Sequence, residues 1–190
     1  MSGPLPLGGG AVSADLSVRP AIVGDEEAIT AIQLAAWGQS HAELLGPRVL
    51  GQLDAAAMTA SWRVAITAPP GPGYRVLVAC AGPRVVGFAS VAPVPPDDEE
   101  PTSGGLLLAL EVAPGDQRAG HGSRLLAAVV DLLRLDGGRH LSTWVLTDDE
   151  ARIRFLSQSG LGPDGAMRQL TSAAAPEGVE VREARWVAEL

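Results

Sequence analysis

The sequence predicts a single α/β domain of the α+β kind, with about seven strands and helices set between them. Three observations carry this. Residues 106–112 are nearly all apolar, as an inner strand covered on both faces would be. That run leads through a glycine-containing turn into the clearest helical pattern of the chain, residues 124–134. Ahead of it, two β-branched-rich runs, 74–81 and 84–92, are separated only by Gly82-Pro83, which predicts a tight hairpin.

The elements follow in order. Residues 1–15 are rich in Gly and Pro, with neither a basic start nor an apolar core, and read as a flexible N-terminal arm rather than a signal peptide. The folded domain is expected over 16–190. Residues 16–21 read as a short strand. Asp25 is a good N-cap, with Glu26 and Glu27 in the first turn of the helix it starts. Ala28, Ile29, Ile32 and Ala36 repeat at helical spacing, and Trp37-Gly38 is expected to end or kink that helix. Helical patches follow over 41–45 and 54–65, and 68–73 is a breaker loop. After the hairpin, 95–101 carries Asp97, Asp98, Glu99 and Glu100 and reads as a solvated acidic loop. In the strong helix, Leu125, Leu126, Val129, Val130, Leu132 and Leu133 form one broad stripe, and Gly137-Gly138 stops it. Residues 140–146 are the next strand. Thr147 and Glu150 have capping-box spacing, so a helix is expected to start there and end near Gly160. Residues 166–170 and 179–187 read as a closing pair of strands.

Composition excludes several classes. The chain has 190 residues, is 46% apolar and only 4% aromatic, so its core must be built from Leu, Val, Ala and Ile. A net charge of −8 argues against a general nucleic-acid binder, which needs a basic face, and is compatible with a cationic substrate. The one cysteine, Cys80, excludes an internal disulfide and any Cys-based metal site, and its apolar run makes it a core thiol. Three scattered histidines offer no metal-ligand spacing, so no metal is expected. No apolar run approaches the ~18 residues of a membrane span. A cytoplasmic protein with no membrane or nucleic-acid partner is expected.

The chemistry concentrates in Gln117-Arg118-Ala119-Gly120-His121-Gly122-Ser123. A strand, a turn and a helix start place unpaired backbone N–H groups at one point, suited to a phosphate. Gly120 and Gly122 let a ligand approach the main chain, and Arg118 and Arg124 add charge. The spacing is neither a complete dinucleotide fingerprint nor a Walker loop.

This segment resembles the Gln/Arg-x-x-Gly-x-Gly/Ala motif of the GNAT superfamily of acetyl-CoA-dependent N-acyltransferases, with Gln117, Gly120 and Gly122 in its three positions. Residues 149–161 are similar to that family's Asn-x-x-Ala…Phe-Tyr…Gly-Phe segment. More loosely, Trp37 and Trp62 flanking the Leu-Leu-Gly-Pro at 44–47 are similar to an unassigned subgroup. The resemblance covers about residues 16–188. It implies a mixed, mostly antiparallel sheet with helices on both faces, splayed where the fourth and fifth strands meet. It implies acetyl-CoA (coenzyme A) as acyl donor, its pyrophosphate on Gln117, Arg118, Ala119, Gly120, His121, Gly122 and Ser123, and its pantetheine along the main chain of Leu110 and Val112. The acceptor would be a primary amine of a small molecule or peptide, attacking the thioester directly; a homodimer is compatible with it. Glu111, the acid nearest the thioester in sequence, and His41, in the region that lines the acceptor pocket, are the candidate bases, each with an ordinary surface role as its alternative. Asp149 stands where the family has a cofactor-touching Asn, and serves otherwise as a helix cap. Leu156 stands where many members place a tyrosine that protonates the leaving thiolate. That departure leaves water, Ser157 or another donor to serve. It also sustains a second reading, a non-catalytic or slow acyl-CoA-binding sensor.

Overall fold

A computed structural model describes residues 16–40, 50–94, 103–170 and 181–190. In chain order the elements are β1 (Leu16–Pro20), α1 (Glu26–Ser40), α2 (Ala55–Thr67), β2 (Arg75–Ala81), β3 (Arg84–Pro93), β4 (Gly104–Val112), α3 (His121–Leu135), β5 (His140–Leu146), α4 (Glu150–Gln158), β6 (Gly162–Leu170) and β7 (Val181–Glu189). The strands form one sheet in the order β1-β2-β3-β4-β5-β7-β6. Every pairing is antiparallel except β4 with β5.

Alternation along the strands sorts the core onto two faces. Leu77 and Ala79 of β2 join the cluster under α3 and α4, with Leu125, Val129 and Leu156. Val78 and Cys80 of the same strand face the other way, into the cluster under α1 with Ile29, Ile32 and Phe88. Trp62 of α2 closes that second cluster, edge-to-face on Phe88 with ring centroids 5.1 Å apart. Its Nε1 donates to Gln33 Oε1 at 2.8 Å, tying α2 to α1. Buried Glu26, ion-paired with Arg63, is a second tie.

Several boundaries differ from the sequence reading, each for a local reason. The first helix does not end or kink at Trp37-Gly38. It runs on to Ser40, since one exposed glycine costs a helix only about 1 kcal/mol. Asp25 does not cap it through the second or third amide. Its carboxylate instead accepts from both Arg19 guanidinium nitrogens, at 2.6 and 2.9 Å, and from the Ile22 amide. The helix after β5 starts two residues later than a Thr147 cap would give. Asp149 is the N-cap and accepts from the Arg152 amide at 2.9 Å, while Thr147 donates to Asp148. The closing strand β6 begins at Gly162, earlier than expected. The arm 1–15, the helical patch 41–45 and the acidic loop 97–100 lie outside the described residues.

The pairing that matters for function is the parallel one. It spans only Gly104–Leu107 against His140–Thr143. Thr143 Oγ1 donates to the Leu107 carbonyl at 2.9 Å, at the last paired position. Beyond it β4 and β5 diverge, and Leu108 is 57% exposed, so this inner strand is not covered on both faces along its whole length.

Candidate active site

Two cavities open where β4 and β5 part. One, of about 440 Å³, lies over the 117–123 turn and the start of α3. The other, of about 320 Å³, is walled by Gln33 and Trp37 of α1, Thr143 and Trp144 of β5, and Glu183 of β7. Leu110, Glu111, Asp149 and Arg152 line both, and so surround the passage between them.

The first cavity is built by the turn. Gly120 takes φ 83°, a left-handed conformation that side chains resist, and it is the N-cap of α3. No side chain caps this helix, in contrast to α2 and α4, which Asp54 and Asp149 cap. The amides of His121, Gly122 and Ser123 therefore stand at a helix N-terminus with partial positive charge and no side-chain oxygen on them. Gly122 packs α3 against its neighbours: a Cβ there would sit 3.5 Å from Phe155 and 3.7 Å from Leu110, ordinary contact distances that an alanine would satisfy. Arg118 also lies in the left-handed region, at φ 62°, and lines the cavity. Arg124 turns back onto the loop, its Nη1 donating to the Ala119 carbonyl at 3.1 Å. Gln117 Nε2 donates to the Val112 carbonyl at 3.3 Å and fixes the turn to the end of β4. The residues present fit a pyrophosphate: free helix amides, a glycine where the main chain must be approached, and a guanidinium beside them.

The passage carries the remaining polar chemistry. Glu111 points into it and is ion-paired with Arg152, Nη2 to Oε1 at 2.6 Å. Arg152 Nη1 donates to the Leu110 carbonyl at 2.8 Å, so one guanidinium joins α4 to β4 across the gap. The far wall of the second cavity is stiffened by stacked charge. Arg168 lies 4.4 Å over the Trp144 ring and is held by Glu183 at 2.6 Å. Arg185 lies 5.8 Å from that ring and is bonded to Asp164 at 2.7 Å.

The structure thus brings together Leu110, Glu111, Val112, Gln117, Arg118, Gly120, Gly122, Ser123 and Asp149 around the cavities. Others fall elsewhere. Leu156 is 1% exposed, packed in the core, and lines neither cavity, so it offers no surface to a cofactor. The His121 side chain is buried at 3% exposure and turned away from the phosphate cavity, leaving only its amide to serve there. Ala119 is absent from the lining and gives its carbonyl to Arg124. Asp149 is both a cap and a wall. His41 lies outside the described residues. Arg152 was not foreseen. Its one signal in the sequence is that, counted from Asp149, it stands where the resembled segment has Ala.

Comparison with known proteins gives this geometry its place. Residues 42–162 match the Acetyltransferase (GNAT) family. The chain is 33% identical over 168 residues to the mycothiol acetyltransferase of Thermobispora bispora, a match covering 84% of this chain and 48% of that protein. It therefore spans about half the length of that curated relative. Among solved structures, the PaiA N-acetyltransferase of Thermoplasma acidophilum, in complex with coenzyme A, superposes with a TM-score of 0.73 at 13% identity, covering 93% of this chain and 99% of that one. The yncA protein of Salmonella typhimurium, with its cofactor acetyl-CoA, superposes at 0.65 and 21% identity, covering 92% and 93%. The family match spans most of the chain and includes the uncapped turn and the parted strands, and by it this chain belongs to the GNAT family of acetyltransferases.

Proposed function

We propose that this protein transfers an acetyl group from acetyl-CoA to a primary amine of a small molecule or peptide, by direct attack of the amine. The observation that carries the reading is the uncapped start of α3, opening into a cavity that runs between β4 and β5 into a second one. Acetyl-CoA, when bound, supplies the activated thioester. The amides of 121–123 and Arg118 hold its pyrophosphate. The main chain of Leu110 and Val112 orients the pantetheine, as an added strand would be oriented. Glu111 takes the proton that the amine must lose. Positioning the two reactants at the passage supplies much of the rate.

The acceptor enters through the second cavity, between Trp37 and Trp144 and beside Glu183. We take it to carry positive charge. The chain has a net charge of −8 and an acidic run at 97–100, which concentrates cations through a field that salt screens over ~8–10 Å.

One observation favours a second reading. The position of the family's tyrosine holds a buried leucine, as an acyl-CoA-binding sensor that has lost turnover would allow. Calorimetry with coenzyme A and thiol release from acetyl-CoA, over a panel of cationic and neutral amines at low and high salt, separate the readings. Transfer is expected to favour cationic amines, and that preference is expected to shrink with salt. Binding without thiol release for any amine would leave the sensor. No binding would overturn both.

A further inference from the structure

Arg152 is the one cation among the described residues that line both cavities, and the function above gives it no task. Its side chain is 22% exposed, and it is anchored on α4 one turn before Leu156, on the same face of the helix. A donor whose phosphates rest on the start of α3 and an amine entering beside Trp37 can meet only at the passage, because that is where the two cavities join. The guanidinium lies there, 2.8 Å from the Leu110 carbonyl and 2.6 Å from Glu111. Leu156 cannot donate a proton, and Ser157 lines neither cavity.

We propose that Arg152 holds the leaving thiolate, supplying by charge what the missing tyrosine would supply by proton transfer. The inference rests on the acyl-donor reading above. As the amine nitrogen bonds to the acetyl carbon and the C–S bond breaks, sulfur keeps the bonding pair and becomes an anion. The proton lost from nitrogen goes to Glu111. A guanidinium does not deprotonate in this range, so Arg152 stabilises the thiolate through its N–H groups and water later protonates the released thiol.

The ion pair with Glu111 makes this economical. Before reaction Arg152 faces the Glu111 carboxylate. When Glu111 takes the amine proton it loses its charge, and sulfur acquires one in the same step. Asp149, 4.0 Å from Nε, stays beside the guanidinium throughout, and of Glu111 and the sulfur only one is anionic at a time, so the passage gains no uncompensated charge, which would be costly in a partly dry site.

The test reads the thiol of bound coenzyme A, so it needs no acceptor. Its ionisation is followed by the ultraviolet absorbance of the thiolate in wild type, Arg152→Gln and Arg152→Lys. A neighbouring cation favours the thiolate, so the bound thiol should ionise at least about one pH unit lower in wild type than in Arg152→Gln. Arg152→Lys should keep part of that shift. Gln is too short to reach the Leu110 carbonyl as Arg does, and Lys keeps the charge without the fork, so a purely structural role would leave Arg152→Lys no closer to wild type than Arg152→Gln. Arg152→Gln leaves Glu111 unpaired and should unfold more easily, so thermal unfolding reports on folding and coenzyme A affinity of the folded proteins reports on the cofactor site, separately from the thiol's ionisation. Equal thiol ionisation in wild type and Arg152→Gln overturns the assignment alone. Failure of wild type to bind coenzyme A overturns it together with the reading beneath it.

Discussion

Two residues of the 117–123 turn sit in left-handed backbone, and their stability should respond differently to substitution. Gly120, at φ 83°, lines the first cavity and has no side chain to strain. A β-branched residue there meets the left-handed penalty, about 1–2 kcal/mol. It also meets Arg124, whose Nη1 lies 3.0 Å from where a Cβ would stand. Gly120→Val should lower unfolding free energy by about 2 kcal/mol and coenzyme A affinity at least about tenfold, read by thermal unfolding and calorimetry. Arg118, at φ 62°, already bears that strain. Relief of about 1 kcal/mol in Arg118→Gly is offset by a similar entropic cost of glycine in the unfolded chain. Stability should therefore hardly change while coenzyme A binding weakens, and a variant that loses stability but not affinity would show Arg118 to be a packing residue. The spacing of Gln117, Gly120 and Gly122 made the turn legible in the sequence. Arg152 was not, because its two contacts lie 41 and 42 residues away, on another element, and no local pattern reports such a contact.

At the level of elements, the corner between β1 and α1 depends on ionised carboxylates. The Arg19 guanidinium holds the Asp25 carboxyl below the usual carboxylate range. Burial opposes this, and the Ile22 amide reinforces it. A depressed folded value means stability that is fully present above the unfolded value, about 3.9, and lost as pH falls through the lower folded one. The stability gap between wild type and Asp25→Asn should therefore be about 1.5 kcal/mol near neutrality and close below about pH 4, in denaturant titrations across that range. A gap that persists in acid would mean the asparagine disturbs packing instead. Sequence patterns served well where one face of an element decides its fate. Of the stripe read for the strong helix, Leu125, Leu126, Val129 and Leu133 are buried, and Val130 and Leu132 are partly buried against the same core. They served less well at element ends, where side chains compete. Thr147 and Asp149 are both good caps two residues apart, and only the geometry of the descending chain decides between them.

Over the whole molecule, the four-residue parallel register between Gly104–Leu107 and His140–Thr143 is, among the described residues, the only strand pairing between a four-stranded half and a three-stranded half. A ligand that fills the gap beyond Leu107 ties the halves together. Coenzyme A at a hundredfold excess over its dissociation constant should add about 2.7 kcal/mol, or about 5–10 °C in melting temperature for a domain of this size. A smaller rise at proven saturation would mean that the unfolded chain binds coenzyme A as well. The same short register has a consequence for the protein when no ligand is present. Past Leu107 and Thr143, two strands in the middle of the sheet no longer pair with each other, and side chains take up part of the freed backbone, Arg152 at the Leu110 carbonyl and Gln117 at that of Val112. Natural proteins guard such open edges at the rim of a sheet, because another chain can pair with them. Here the two parted strands face inward, on a gap lined by Trp37 and Arg152. On the reading proposed above, the extended arm of the donor would then complete the middle of the sheet as an added strand completes an edge.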